Sequence, residues 1–259
     1  MQAIQSGDVR YYCFETLSSY NVPHAVITRH GGVSPFPWAT LNLGATVGDD
    51  LERVKENRRK AFEAVGRDIH AYYDVWQVHS NRVICTHTPR NPEQPHEKAD
   101  AILTNTPGLT LFMRFADCVP VLLFDPVKKA IGVVHAGWMG TIKQIVALTV
   151  EKMISEYNSS PGDIVAAIGP SICQKHYEVG KEVVNEAYIS FQSDADIFIR
   201  NENGHYLFNL WEANKYLLEK AGVEHIEVSG ICTACHLEEW FSHRGEAGKT
   251  GRFGVMIGL

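Results

Sequence analysis

The sequence has no long apolar run and no dense cluster of basic residues. No apolar segment approaches the ~18 residues of a membrane-spanning helix, so a membrane-embedded protein is not expected. The formal net charge of −6 gives no support to binding of nucleic acid or of an acidic membrane surface. The first residues, MQAIQSGDVRYYCF, contain neither a basic leader nor an apolar segment, so a signal peptide is not indicated. We therefore expect a cytoplasmic protein whose six cysteines are reduced.

Several familiar catalytic motifs are also absent. There is no Walker loop, no GxGxxG after a strand, no GxSxG and no HExxH, which excludes the simplest nucleotide triphosphate, dinucleotide and esterase hypotheses. The 45% apolar and 21% charged residues are ordinary for a globular protein, and 259 residues suffice for a core without disulfides.

Short strand-like segments alternate irregularly with helical patterns. This succession favours an α+β fold with mixed sheets over a doubly wound parallel sheet. No repeat or Gly/Ser linker divides the chain, so we expect one domain over residues 1–259. Helices are predicted from Asp49 to Gly66, after Gly140, over Lys181–Phe191 and over Leu210–Ala221. Besides a central hairpin, strands are predicted at Arg10–Thr16, Val26–Thr28, Val75–His79, Arg82–Thr86, Ala101–Thr104, Leu109–Phe115, Ile164–Ile168, Ile226–Ile231 and Phe253–Ile257.

The segment Ala116–Gly140 predicts a hairpin, because two apolar runs flank the polar sequence DPVKK. If the Pro-Val pair is the centre of the turn, Asp125 pairs with Lys128, and Cys118 then lies opposite His135. Opposed side chains share a face, with their β-carbons about 5 Å apart. A thiolate and an imidazole at that distance suit a metal ion, whereas a one-residue slip would separate them.

His79 ends another strand-like segment and is the third member of this candidate set. Two imidazoles and one thiolate with an open fourth position resemble a catalytic zinc site. The alternatives are that each residue is structural, or that Cys118 is a nucleophile with His135 as its base, as in a cysteine-dependent hydrolase. The motif Cys232-Thr-Ala-Cys235-His236 lacks a second CxxC and is assigned to local structure.

Many ordered motifs make the chain resemble the YlmD/YfiH family, laccase-domain proteins also described as multicopper polyphenol oxidases. The motifs are ADC-VP at 116–120, HAGW-x-G at 135–140, TRHGGVS at 28–34, LNLG at 41–44, GDD at 48–50, ENR at 56–58, QVH at 77–79, ADA around Asp100, IGPSI at 168–172, ICT at 231–233, FSHR at 241–244 and TGRF at 250–253. Within this family, the motifs suggest a relative of the bacterial YlmD type.

The resemblance implies a purine nucleoside phosphorylase with adenosine deaminase activity. Such an enzyme converts adenosine, inosine, guanosine and methylthioadenosine to the base plus ribose-1-phosphate or its methylthio counterpart, and adenosine to inosine. The family also implies an α/β sandwich, and zinc held by His79, Cys118 and His135, which thereby become the catalytic candidates. The expected partners are purine nucleosides and phosphate.

Copper is the alternative metal, and a laccase-like polyphenol oxidase is the alternative function. A trinuclear copper cluster typically uses His-x-His pairs, and the twelve histidines form none. A blue-copper site would need a weak axial ligand that no spacing here requires.

Two carboxylates and several cationic or aromatic residues complete the candidate site. Asp117 and Asp100 are candidates for proton transfer, with turn formation or support of a metal ligand as the alternative. Phosphate favours arginine forks, for which ion pairing is the alternative role. The candidate substrate- or phosphate-binding residues are Arg58, Arg29, Asn42, Gln77, Arg244 and Trp138. Arg252 is a further phosphate candidate, and Phe36 and Phe241 are further stacking candidates whose alternative is core packing.

Overall fold

The computed structural model describes residues 1–259, which form fifteen strands and seven α-helices. The strands are β1 Gln2–Ser6, β2 Val9–Cys13, β3 His24–Ile27, β4 Tyr72–Tyr73, β5 Val83–Cys85, β6 Ala101–Thr104, β7 Thr110–Phe115, β8 Val119–Asp125, β9 Ala130–Ala136, β10 Val165–Ile168, β11 Glu178–Val179, β12 Ile199–Glu202, β13 His205–Phe208, β14 His225–Val228 and β15 Phe253–Gly258. The helices are α1 Glu15–Ser19, α2 Leu51–Val65, α3 Trp138–Ile142, α4 Ile145–Tyr157, α5 Lys181–Phe191, α6 Ala195–Phe198 and α7 Leu210–Lys220.

Helix α2 shows how local sequence fixes an element. The Asp50 carboxylate accepts hydrogen bonds from the backbone amides of Glu52 and Arg53, which caps the first turn. Gly66 ends the helix in the left-handed conformation, with φ of 71°. None of the helices has both the length and the apolar character needed to cross a lipid bilayer.

The strands form two six-stranded sheets and one three-stranded sheet. Sheet one has the order β1-β2-β3-β15-β7-β4, sheet two has the order β14-β10-β8-β9-β6-β5, and the small sheet has the order β11-β13-β12. Only the pairs β4–β7, β5–β6 and β10–β14 are parallel. The sheets are therefore mixed and largely antiparallel, and the predicted α+β class is confirmed.

Alternation along the strands places apolar side chains on both faces of each large sheet. On β8, Leu122 and Phe124 pack between the two sheets, whereas Val121 and Leu123 pack under α3, α4, α5 and α7. On the outer face of sheet one, Phe112 packs against Phe62 of α2. The result is a four-layered α–β–β–α sandwich, in which every residue of β8 and β9 is buried.

The predicted register of the central hairpin is wrong by two residues. Strands β8 and β9 pair Asp125 with Ala130 and Pro120 with His135. The loop is longer than predicted because the Asp125 carboxylate accepts the backbone amides of Val127 and Lys128, at 2.8 and 2.9 Å. A shift of two residues keeps the side-chain faces, so Cys118 and His135 still lie on the same side.

The predicted strand Val75–His79 does not form. Trp76 makes one isolated bridge, to Lys98, and the segment then turns away with His79 in the left-handed region at φ 57°. The following strand, β5, pairs in parallel with β6 rather than forming a hairpin. The predicted strand Arg10–Thr16 ends earlier, at Cys13.

Candidate metal centre and substrate cavity

His79, Cys118 and His135 converge at one end of the central strands β8 and β9 of sheet two. Cys118 immediately precedes β8, His135 lies near the end of β9, and His79 lies in the turn before β5. One nitrogen or sulfur atom from each lies within 4.8 Å of the others, and Cys118 Sγ is 3.7 Å from His79 Nε2. The structure thus brings together the three side chains that the sequence predicted as metal ligands.

Gly137 leaves the space that this convergence needs. Extending the observed β8–β9 register by one residue sets Gly137 opposite Cys118. A β-carbon on Gly137 would lie 2.9 Å from Cys118 Sγ and 2.9 Å from His79 Cδ2. Its φ of −75° suits any residue, so the requirement for glycine at this position is steric.

Asp100 holds the two histidine-bearing segments together. Its Oδ1 accepts a hydrogen bond from His135 Nδ1 at 2.8 Å and one from the backbone amide of His79 at 3.0 Å. Its Oδ2 accepts the backbone amide and the hydroxyl of Ser80, at 2.6 and 2.7 Å. A carboxylate on Nδ1 directs Nε2 of His135 toward the metal position, as is usual for metal-binding histidines.

The same contacts set the protonation of the site. Burial raises the pKa of Asp100, but His135 and Ser80 outweigh it and lower that pKa to about 2. Burial likewise raises the pKa of Cys118, but the His135 and His79 imidazoles outweigh it and the net pKa is lowered. The thiolate is the form of cysteine that binds metals, so these contacts favour the ligating state of Cys118.

Asp117 is a structural junction. Its Oδ1 accepts hydrogen bonds from the hydroxyls of Thr233 and Ser242, both at 2.6 Å, and its Oδ2 accepts the backbone amide of Arg244 at 2.6 Å. These contacts connect Asp117, the residue before Cys118, to the segment that carries Thr233 and to the segment that carries Ser242 and Arg244. Because both of its oxygens are engaged, the geometry favours a positioning role over the predicted proton transfer.

A cavity of about 520 Å³ adjoins His79, Cys118 and His135, within the range of small-molecule sites. Its only carboxylate is Asp117, whereas its cationic or imidazole residues beside the ligand set are Arg58, Arg114, Arg244, Arg252, His96 and His243. Such an excess of positive groups suits an anionic ligand.

The arginines of the cavity differ in how they are neutralised. Arg114 contacts the buried Asp74 carboxylate, and Arg58 Nη1 lies 3.9 Å from it. Arg244 and Arg252 have no carboxylate partner and donate only to backbone carbonyls. These two guanidinium groups therefore have charge available for a ligand.

Two predicted binding residues lie outside the cavity lining. Arg29 is used structurally, since its guanidinium donates to the carbonyls of Ala39 and Leu237 and pairs with Glu246 at 3.2 Å. Asn42 is fully buried, and its Oδ1 accepts the backbone amide of Arg252 at 2.9 Å. Asn42 can thus affect the cavity by positioning Arg252 and also Gly44, a lining residue whose backbone amide donates to the same Oδ1 at 3.0 Å.

The other predicted binding residues do line the cavity. They are Arg58, Gln77, Arg244 and Trp138. Gln77 is held by two hydrogen bonds to the backbone of Arg114, at 2.7 and 3.0 Å. The stacking candidates Phe36 and Phe241 do not line the cavity. Phe36 is 86% exposed, and Phe241 lies in the core.

Sequence reasoning missed cavity residues and one cluster. Arg114, His96 and Tyr177 line the cavity but lie in none of the family motifs, whereas His243 lies in FSHR but was not predicted as a site residue. The assignment of Cys232 and Cys235 to local structure is incomplete, because both converge with Cys173 and His176. The signal was the CxxC spacing, whose partners lie far away in the sequence.

These two clusters are the only groups of three or more His, Cys, Asp or Glu side chains in residues 1–259 that converge as a metal site would require. One holds three donors and the other four. Neither supplies the many imidazoles of a trinuclear copper cluster, so the geometry gives no support to a multicopper oxidase.

Residues 23–259 match the family model described as "Multi-copper polyphenol oxidoreductase laccase". The chain belongs to this family. The predicted YlmD/YfiH resemblance is confirmed, since "Purine nucleoside phosphorylase YlmD" of Bacillus subtilis is 37% identical, over 90% of this chain and 86% of that protein.

Further members of the family are similar over nearly the whole chain. A protein named "Purine nucleoside phosphorylase" from Deinococcus radiodurans is 40% identical over 92% of this chain and 89% of its own length. The crystal structure of YlmD from Geobacillus stearothermophilus aligns with a TM-score of 0.92 at 32% identity, covering 98% of this chain and 97% of that one. That of Bacillus licheniformis YfiH aligns with a TM-score of 0.90 at 34% identity, covering 97% and 96%.

Proposed function

We propose that the chain is a zinc-dependent purine nucleoside phosphorylase that also deaminates adenosine. The proposed substrates of phosphorolysis are adenosine, inosine, guanosine and methylthioadenosine. The names of the relatives support the phosphorylase activity. The observation that carries the proposal is the cavity itself, in which two arginines without acidic partners face the His79, Cys118 and His135 set.

The three donor residues fit zinc. With Zn–S bonds of about 2.3 Å and Zn–N bonds of about 2.0–2.1 Å, tetrahedral ligands S and N lie about 3.6 Å apart. The 3.7 Å between Cys118 Sγ and His79 Nε2 agrees with this value. When bound, zinc would supply a Lewis acid and lower the pKa of a coordinated water.

The arginines act on phosphate. In phosphorolysis a phosphate oxygen attacks the anomeric carbon of the ribose, the N-glycosidic bond breaks, and its electron pair leaves with the purine. Arg244 and Arg252 would hold the phosphate dianion through charge-assisted hydrogen bonds, while Arg58 adds positive charge to the same cavity. The hydrogen phosphate gives up its proton and the purine takes one up, so the products are the free base and ribose-1-phosphate.

Aromatic residues and carboxylates orient the reactants. Trp138 lines the cavity and offers a ring face against which a purine can stack, whereas the Tyr177 ring already lies under the Arg244 guanidinium, whose carbon is 5.3 Å from the ring centroid. Asp100 fixes the tautomer of His135, and Asp117 fixes the backbone that carries Cys118 and Arg244. We therefore assign both carboxylates as positioning residues.

The decisive experiment incubates the purified protein with adenosine, with and without phosphate, and separates the products. Ribose-1-phosphate formed only when phosphate is present, together with inosine formed in its absence, is the expected result. Absence of both products would refute the proposal. Oxygen uptake with phenols on the copper-loaded protein, exceeding nucleoside turnover, would favour the oxidase instead. Nucleoside turnover by metal-free protein would favour Cys118 as a nucleophile.

The Arg252→Ala variant tests the phosphate assignment. A hydrogen bond to a charged group contributes about 1.5–3 kcal/mol, so kcat/KM for phosphate should fall about 10- to 100-fold. Deamination in the absence of phosphate should persist. The matched control is Arg59→Ala, an exposed arginine of α2 paired with Glu56 and Glu63. Equal phosphate kinetics in the two variants would remove Arg252 from the phosphate site.

A further inference from the structure

A second cluster of metal-binding residues lies outside the cavity. It consists of Cys173, His176, Cys232 and Cys235, and we name it the three-cysteine cluster. Cys173 precedes a short 3-10 turn whose last residue is His176, whereas Cys232 and Cys235 form a CxxC pair before the C-terminal strand. Two remote parts of the chain thus each contribute two ligands with a spacing of two intervening residues, which is typical of zinc sites.

The donor atoms of the cluster surround one point. His176 Nδ1 lies 3.5 Å from Cys173 Sγ, 3.8 Å from Cys232 Sγ and 3.4 Å from Cys235 Sγ. All four donor atoms lie within 4.8 Å of one another. Tetrahedral zinc would separate each sulfur from the nitrogen by about 3.6 Å, so all three distances agree with it.

A backbone amide donates a hydrogen bond to one of the three sulfur atoms. The backbone amide of Cys173 donates a hydrogen bond to Cys232 Sγ at 3.2 Å, and Cys232 is buried. The three cysteines and one histidine complete a ligand shell, in contrast to the three ligands beside the cavity. A closed set of four protein donors is typical of structural zinc, and a set of three sulfur atoms and one nitrogen atom favours zinc over harder cations.

The backbone brings the two halves of the cluster into contact. Ser171 forms a parallel bridge with Cys232, with hydrogen bonds from Ser171 N to Ile231 O and from Thr233 N to Ser171 O, both 3.2 Å long. This backbone connection consists of only these two hydrogen bonds. Four bonds to one ion would add a cross-link between Cys173 and Cys232, which are 59 residues apart in the sequence.

The cross-linked segments continue into the cavity wall. Tyr177, next to His176, lines the cavity, and Arg244 donates to the backbone carbonyl of His176 at 3.4 Å. Thr233, next to Cys232, donates to the carboxylate of Asp117. An ion in the cluster would therefore fix the wall that presents Tyr177 and Arg244.

We propose that the three-cysteine cluster is a second, structural zinc site that stabilises this wall of the cavity. The inference depends only on the four side chains and their contacts. It stands or falls separately from the assignment of nucleoside chemistry, because its readouts are metal content and stability.

The first measurement is the zinc content of protein purified without added metal and without chelator. We expect two molar equivalents in the wild type. Cys118→Ser should lose one equivalent and Cys235→Ser the other, while the matched control Cys13→Ser keeps both, because a serine can still donate to the His24 carbonyl that Cys13 contacts. One equivalent in the wild type that Cys118→Ser removes would overturn the proposal.

The second measurement uses the Cys118→Ser protein, in which only the three-cysteine cluster can bind tightly. Replacing zinc with Co²⁺ should produce a thiolate-to-cobalt charge-transfer band and the visible bands of tetrahedral cobalt, and removing the metal should lower Tm. A spectrum without thiolate bands would refute the site. So would a disulfide between Cys232 and Cys235, detected as a loss of two hydrogens in the intact mass. The Co²⁺ measurement remains decisive if substitutions within the cluster prevent folding, because the Cys118→Ser protein keeps all four residues of the cluster.

Discussion

Gly137→Ala is the sharpest test of the proposed metal centre, because it adds one methyl group at a defined place. The new β-carbon would lie 2.9 Å from Cys118 Sγ and 2.9 Å from His79 Cδ2. Carbon and sulfur atoms in contact prefer about 3.5–4.0 Å, so one or both ligands must move by roughly 0.6–1 Å. Backbone strain does not contribute, since φ is −75° at this position.

A displacement of that size should weaken the metal site more than the fold. Overpacking costs about 1–3 kcal/mol of stability, whereas a shift of about 1 Å in a catalytic group can cost about 10²-fold in rate. We therefore expect about a 10²-fold loss in kcat/KM for adenosine phosphorolysis, with reduced zinc retention in a competition assay.

The control for this substitution is Gly162→Ala. Gly162 lies in a 3-10 turn, and a β-carbon there would meet no atom within 4 Å. This variant should keep wild-type activity and metal content. If Gly137→Ala behaves like Gly162→Ala, then Cys118 and His79 do not have to stay where the structure places them, and the reasoning fails.

Further predictions concern two buried carboxylates. Asp100→Asn replaces one of the two acceptor oxygens with an NH2 donor and removes the negative charge beside His135, so zinc affinity should fall about 10- to 100-fold in a chelator competition, and an unchanged affinity would contradict the orienting role. Asp74→Asn leaves Arg90 and Arg114 without their buried partner and should lower the free energy of unfolding in urea by about 3–5 kcal/mol. Burial raises the pKa of the Asp74 carboxyl, but His96 and Arg114 outweigh burial and bring that pKa below its ordinary value. Its contribution is therefore present above the unfolded pKa of about 4 and is lost as the pH falls toward the folded pKa. Acid unfolding of the wild type and of Asp74→Asn should converge at low pH, and parallel curves would refute this.

Local signals explain which elements were predictable. Helix α2 follows the sequence closely, because the Asp50 cap and the Gly66 end are decided by neighbouring residues. The hairpin was predicted as an element but not in register, since Asp125 closes a longer loop through two backbone amides. The segment Val75–His79 has the composition of a strand, yet Asp100, which lies on another segment, captures the amides at its end.

The candidate site was predictable to the extent that residue type decides its chemistry. A thiol and two imidazoles that lie close together are typical metal ligands, and the family motifs contain the same three residues. Charge is less informative, because sequence shows that Arg29 is cationic but not that backbone carbonyls and Glu246 already satisfy it. The three-cysteine cluster escaped detection because neither half is a complete motif and only the fold joins them.

Strand β15 occupies the middle of sheet one, between β3 and β7, although it is the last strand along the chain. During synthesis, the sides of β3 and β7 that pair with β15 therefore stay unpaired until residues 253–258 have left the ribosome. Exposed strand edges can associate with other chains. Arg252 arrives with the same strand. If Arg252 holds an anion as we propose, the capacity to do so should consequently appear only once β15 has closed sheet one.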